Sequence, residues 1–276
     1  MSTDVADRGS SRPSVAPPRP VTLAGDRPEP TLVLCAHGTR DAAGARVVRE
    51  IARSVAAEGI DVRLGYVDVQ APHIAEVTAD LAISGREFVV VPLLLSAGHH
   101  VLVDIPAALQ TADGVGGWPE GGMPPGAAAG GAAAPALGPD PLLADLLVRR
   151  LVEAGARPDD GVVLAAAGSS RAEAAVDAVR TAQMLRERWP GPVSVGYGAS
   201  ATPSVTDAVA TLRTQARRVA IASYLIGPGH FHSRLAGCGA DLLSAPLGSD
   251  DAVVRLVLTR YQQAVSTQLR NALLSA

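Results

Sequence analysis

The sequence predicts an α/β protein of two similar lobes, each a parallel sheet flanked by helices, with a cleft between them. Three observations lead there. Short apolar runs alternate with stretches whose apolar residues recur at helical spacing, an order that belongs to a parallel sheet with right-handed crossovers. The first and third of these runs do not alternate polar with apolar, so those strands are expected to be buried on both faces. The second half of the chain also repeats the first. VVLAAAGSSR from Val162 resembles LVLCAHGTR from Leu32, GYGASATPSVTDAV from Gly196 resembles GYVDVQAPHIAEV from Gly65, and VAIASYLIGPGH from Val219 resembles FVVVPLLLSAGH from Phe88.

Thr31 to Ala36 forms the first strand and runs into His37-Gly38-Thr39-Arg40. Asp41 is placed to cap the following helix, whose apolar residues Val47, Val48, Ile51 and Val55 lie on one side before Gly59 stops it. Asp61 to Val69 is a second strand, and Pro72 stands where a helix through Ile74, Val77 and Leu81 begins. His73 at that helix start is expected on the surface. Phe88 to Leu95 is the third strand; it breaks at Ser96, Ala97 and Gly98, delivers His99 and His100, and leads to Asp104 and a helix opening at Pro106. Ala112 to Ala134 consists mainly of Gly, Ala and Pro around Trp118 and is expected to be a flexible insertion. An amphipathic helix through Leu142, Leu143, Leu146, Leu147 and Leu151 closes the first half.

The repeat sizes that insertion. Tyr66 to Tyr197 and Gly98 to Gly229 give an offset of 131 residues, whereas Leu137 to Leu247 gives 110, so 21 residues are extra in the first half. The expected organisation is a disordered leader over 1–30, a first lobe over 31–155 with its insertion near 112–134, and a degenerate second lobe over 156–276. The leader lacks the apolar stretch of a signal peptide.

Composition narrows the function classes. A chain of 276 residues that is 47% hydrophobic can bury a sizeable core, and with 3% aromatics that core is built from small and branched aliphatics. Net charge is −3 with scattered basic residues, which disfavours nucleic acid and anionic membranes as partners. There is no lysine, so neither a phosphate-loop lysine nor a Schiff base is available. Cys35 and Cys238 match neither a disulfide framework nor a paired zinc motif, which fits a reducing, cytoplasmic setting. No prosthetic group is implied, and a monomer or homodimer is expected.

His37, Asp68, His99 and His100 all lie at carboxyl ends of strands, which one parallel sheet brings to a single rim where ligands bind. Imidazoles and a carboxylate suit a first-row divalent ion with open positions for substrate. The repeat marks the same residues: Ala167 stands opposite His37, Ala199 opposite Asp68 and Phe231 opposite His100. The second lobe keeps the scaffold and loses those polar groups together, while retaining His230 and His232.

HGTR after an apolar strand, then YVD-x-x-x-P, then PLLLSAGHHVLVDIP resemble the CbiX/SirB class of sirohydrochlorin and cobalt chelatases over most of residues 31 to 270, including its long two-lobed form. The resemblance implies a chelatase-like fold and the insertion of a divalent metal ion, Fe2+ or Co2+, into a tetrapyrrole. It carries ion binding to His37 and to His100, the histidine preceding Val101. Asp68 stands where the family commonly has glutamate and is expected to assist catalysis; Thr39 replaces the usual serine. Gly38, Arg40, Ser96, Gly98, His99, His230 and His232 are expected to contact substrate, and Asp104 to cap the helix at Pro106. The expected activity is ATP-independent formation of sirohaem. The alternatives are a cobaltochelatase of cobalamin biosynthesis and a non-catalytic metal or tetrapyrrole carrier.

Overall fold

The computed structural model describes residues 29–115 and 131–274. The first lobe contains β1 (Thr31–Ala36), α1 (Ala42–Ala56), β2 (Val62–Tyr66), α2 (Ile74–Ile83) and β3 (Phe88–Pro92), followed by a π-helical turn (His100–Asp104), α3 (Ile105–Val115) and β4 (Gly131–Ala133). After α4 (Pro141–Glu153) the pattern repeats as β5 (Gly161–Ala166), α5 (Ala172–Arg186), β6 (Val193–Tyr197), α6 (Val205–Leu212), β7 (Val219–Tyr224), α7 (His230–Leu235) and β8 (Leu242–Leu243), and α8 (Asp251–Leu274) ends the chain. The two sheets have the orders β2-β1-β3-β4 and β6-β5-β7-β8, and every pairing in them is parallel.

The central strands β1, β3, β5 and β7 are buried on both faces, as their unbroken apolar runs require, whereas the outer strands β2, β4, β6 and β8 are partly exposed. Leu32 and Leu34 of β1 face one core, whereas Val33 and Cys35 face another beneath α2 and α3. In β5, Val162 and Leu164 face the first of these cores and Val163 and Ala165 pack under α6 and α7. The inner faces of both sheets therefore share one apolar interior. Cys35, at 0% exposure, lies outside it, and burial, with the charge of Asp104 adding, pushes its thiol up to about 12.

The repeat in sequence is not the repeat in packing. Helix α4, expected to close the first lobe, lies against α5 and β7 of the second, and α8 returns to cover α1, β3 and β4 of the first. Arg260 of α8 fixes the exchange by donating to the carbonyls of Ala136 (3.2 Å) and Leu137 (3.0 Å), and the Tyr261 hydroxyl donates to the Pro30 carbonyl at 2.6 Å.

The strands after α1 and α2 are shorter than their apolar runs. The N–H groups of Val67 and Asp68 still reach the carbonyls of Ala36 and His37, and Val69, at a φ of +63°, then turns the chain away; Pro92 ends the third strand, its ring leaving no N–H for the ladder. The insertion is also narrower than 112–134. Residues 112–115 continue α3 and Gly131–Ala133 pair with Phe88–Val90 as an edge strand. Trp118, the central part of the insertion (116–130) and nearly all of the leader (1–28) lie outside the described residues. No helix among the described residues is long and apolar enough to cross a membrane.

Candidate functional site

A cavity of about 810 Å³ opens between the lobes at the carboxyl ends of the strands. From the first lobe, His37, Gly38, Arg40, Ser96, Gly98, His99 and His100 line it; from the second, His230 and His232 do. Of the residues expected to bind the ion, contact substrate or assist catalysis, Asp68 is the one absent from the lining. Its carboxylate accepts the N–H of Val69 at 2.7 Å and so holds its own turn.

His37 is presented by the turn that ends β1. Gly38 takes a φ of +95°, and a Cβ there would run into the carbonyl of Asp68, so only glycine lets the two strand-end turns approach. The same arrangement recurs at Gly168, with φ +89° against Ala199. Asp41 accepts from the N–H groups of Ala43 (2.8 Å) and Gly44 (2.9 Å), which anchors the far side of the turn at the start of α1.

His100 is presented differently. It opens the π-helical turn, in which the Ile105 N–H returns to the His100 carbonyl. Four residues on, the Asp104 carboxylate accepts from Nδ1 of His100 at 2.5 Å. Asp104 therefore does not cap the helix at Pro106; the helix continues from the π-turn, whose carbonyls already serve the N–H groups that a cap would take. A carboxylate only accepts, so Nδ1 carries the proton and the neutral ring leaves its Nε2 lone pair free. His37 places its Nδ1 3.3 Å from the Gly38 carbonyl, which likewise favours a free Nε2.

The two rings meet edge to face with centroids 4.7 Å apart. Two imidazoles on adjacent positions of one ion, with metal–nitrogen bonds of about 2.0–2.1 Å, have centroids about 4.5–5 Å apart. Among the described residues no group of three or more His, Cys, Asp or Glu side chains is arranged to hold an ion, so His37 and His100 stand as a pair. His99 is half exposed, its Nε2 3.9 Å from Asp104, with its ring centroid 6.0 Å from that of His100.

The matched site in the second lobe has no such chemistry. Phe231 and Leu235 occupy the places of His100 and Asp104, and Ala167 that of His37. His230 lines the cavity from the exposed start of α7, and Nε2 of His232 is turned to the Ser244 carbonyl at 3.2 Å. Sequence reasoning missed the partnership of Asp104 with His100, although the four-residue spacing that puts both on one side of a helix was there to find.

The family model described as CbiX matches residues 31–154 and again residues 161–264. No curated protein matches the sequence. Among solved structures, the chain is similar to SirB from Bacillus subtilis with Fe3+, at 19% identity and a TM-score of 0.70 over 87% of this chain and 97% of that one. It is similar to CbiX, the terminal enzyme for biosynthesis of siroheme in denitrifying bacteria, at 19% identity and a TM-score of 0.61, over 85% of this chain and 99% of that one. DR2241 from Deinococcus radiodurans, a multi-domain protein, gives 22% identity and a TM-score of 0.58 over 84% of this chain and 54% of its own, so this chain spans about half of it. These structures share the two-lobed parallel-sheet fold, and the family match covers both repeats: the chain belongs to the CbiX family.

Proposed function

We propose that this chain inserts a divalent metal ion into sirohydrochlorin without ATP, with Fe2+ as the ion and sirohaem as the product. The observation that carries the reading is the pair of imidazoles, His37 and His100, at the wall of an interlobe cavity of about 810 Å³, in a chain of the CbiX family. The cavity has the size of small-molecule sites, and it is walled by both lobes, as a flat macrocycle held between two surfaces requires.

Insertion exchanges one M2+ for two pyrrole protons. The ion is substrate, so it must be held and then released. Two neutral imidazoles hold it with positions left open for the incoming ring nitrogens, and a two-imidazole set lets it go more readily than a closed one. As His37 and His100 give up the ion, each imidazole becomes free to accept one pyrrole proton, which balances the reaction. Asp104 behind His100 stabilises the imidazolium that results. Arg40 lines the cavity, is exposed and has no ion pair among the described residues, so it is available to a substrate carboxylate. Asp68, occupied by its own turn, is given no step. Free thiols at Cys35 and Cys238 are consistent with a reducing, cytoplasmic setting for a monomer or homodimer.

Purified protein is assayed with sirohydrochlorin and Fe2+, Co2+ or Ni2+ against the spontaneous rate. Acceleration, greatest with Fe2+, is expected. A preference for Co2+ would make it a cobaltochelatase, because imidazole does not separate the two ions. Binding without acceleration by any ion would make it a carrier. The His37→Ala/His100→Ala variant is expected to lose insertion by two orders of magnitude or more while unfolding cooperatively, and wild-type activity there would move the site elsewhere.

A further inference from the structure

The loop that delivers His99 and His100 is held by the other lobe. Ala97, two residues before His99, donates its N–H to the Asp177 carboxylate of α5 at 2.8 Å. Two residues earlier, the Leu95 carbonyl accepts from the Tyr224 hydroxyl of β7 at 3.1 Å, and that hydroxyl in turn accepts from Thr181 of α5 at 3.2 Å. Asp177 is 8% exposed, Tyr224 3% and Thr181 0%. A carboxylate this buried is costly unless it is bonded, and most of α5's buried face is apolar: Ala174, Ala178, Ala182 and Leu185.

The pseudo-twofold repeat supplies a control within the molecule. The offset of 130 residues between α1 and α5 places Val47 opposite Asp177 and Ile51 opposite Thr181; the offset of 131 between β3 and β7 places Leu93 opposite Tyr224 and Pro228 opposite Ala97. Where the first lobe faces the second lobe's matching loop, all three polar side chains are thus aliphatic. The N–H that Asp177 binds is absent there too, because Pro228 has none. The carbonyl of Ile226, which matches Leu95, takes the Gly248 N–H at 2.8 Å. Donor, acceptor and hydroxyl are present together on the side that faces the histidines, and missing together on the side where His100 has become Phe231. A network kept only to satisfy interlobe packing has no reason to follow the histidines.

We infer that Asp177 and Tyr224 are positioning residues: by fixing the backbone of Leu95 to Ala97 from the opposite lobe, they set where His100 stands relative to His37. This rests on the reading that those two histidines hold the ion. Gly138 makes room for the tether, since a Cβ there would strike the Tyr224 hydroxyl.

The test titrates the full chain with Co2+ alone, followed by its visible absorption, beside thermal unfolding and the kcat and KM of insertion for the ion. Asp177→Val is expected to weaken Co2+ binding by about tenfold or more and to raise KM for the ion. Asp177→Asn, which keeps an accepting oxygen, is expected to restore affinity to near the wild type. Tyr224→Phe, which removes one hydroxyl and leaves Thr181 bonded to the Asp177 carbonyl, is expected to lose about threefold or more. Wild-type Co2+ affinity in both Asp177→Val and Tyr224→Phe, with or without a lower unfolding temperature, overturns the positioning role and leaves the ion site standing. Undiminished Co2+ binding in His37→Ala/His100→Ala overturns the site and this inference with it. If Asp177→Val does not fold, Asp177→Asn and Tyr224→Phe decide: a loss in Tyr224→Phe alone supports the tether, and no loss in either removes it.

Discussion

Asp104 is the residue on which the tautomer of His100 depends. With the carboxylate 2.5 Å from Nδ1, the proton is kept on that nitrogen and the lone pair on the other; without it the ring exchanges tautomers and turns more freely. Asp104→Ala is therefore expected to weaken Co2+ binding about 10- to 100-fold by titration, while urea unfolding shifts by no more than about 1 kcal/mol, because the side chain is 32% exposed. His37 and His100 could be found in the sequence, since a histidine just past a buried strand has one place to go and the motif around it resembles a known family. The direction of Asp68 could not, because it depends on the positive φ of Val69, which leaves no mark in residue spacing. For Asp104 the four-residue spacing from His100 was visible, but the π-turn that turns the carboxylate to the imidazole and not to the start of the helix was not.

The turns after β1 and β5 are the elements that aim the site, and in each a glycine at positive φ lies against the carbonyl of the neighbouring turn. Gly38→Ala must pay the left-handed cost of a side chain, about 1–2 kcal/mol, and must also push the Asp68 turn away. It is expected to lower urea-unfolding stability by at least that amount and to weaken Co2+ binding at His37 as well. An equal loss of stability with no change in binding would separate the turn from the site. Element types followed from sequence because apolar periodicity reports them directly. Their ends did not: β4 was hidden in a Gly and Ala stretch that has too little side chain to carry a pattern, and only its pairing with β3 makes it a strand.

At the scale of the whole molecule, the two lobes are joined where α4 and α8 cross. Asp250 caps the start of α8 by accepting the Ala252 N–H at 3.0 Å, and it receives Arg149 (2.8 Å) and Arg150 (3.5 Å) from α4. Burial alone would raise its carboxyl, but the Arg149 hydrogen bond, the Ala252 N–H and the two arginine charges hold it below 3.8. A carboxyl whose folded value is lowered contributes stability above its ordinary value and loses it as pH falls through the folded one. Asp250→Ala is expected to cost about 1–2 kcal/mol in urea unfolding at neutral pH, mostly through the cap, because Arg149 is 53% exposed. The gap from the wild type should narrow as the pH falls through the carboxyl's lowered value, because protonation removes the charge but leaves an oxygen that still accepts the Ala252 N–H. Internal repetition made two lobes predictable, yet the exchange of helices was not, because a stripe such as Leu143, Leu146, Leu147 and Leu151 fits either sheet equally well. That exchange has a consequence in terms of symmetry. Each repeat hands its last helix to the other, as two copies of a half-length chain would across a twofold axis, and in such a dimer every substitution occurs twice. Joined in one polypeptide, the copies can differ: Asp177 can face the loop that carries His100 while Val47 faces a counterpart in which Phe231 takes that place, a division of labour that no symmetric pair can encode.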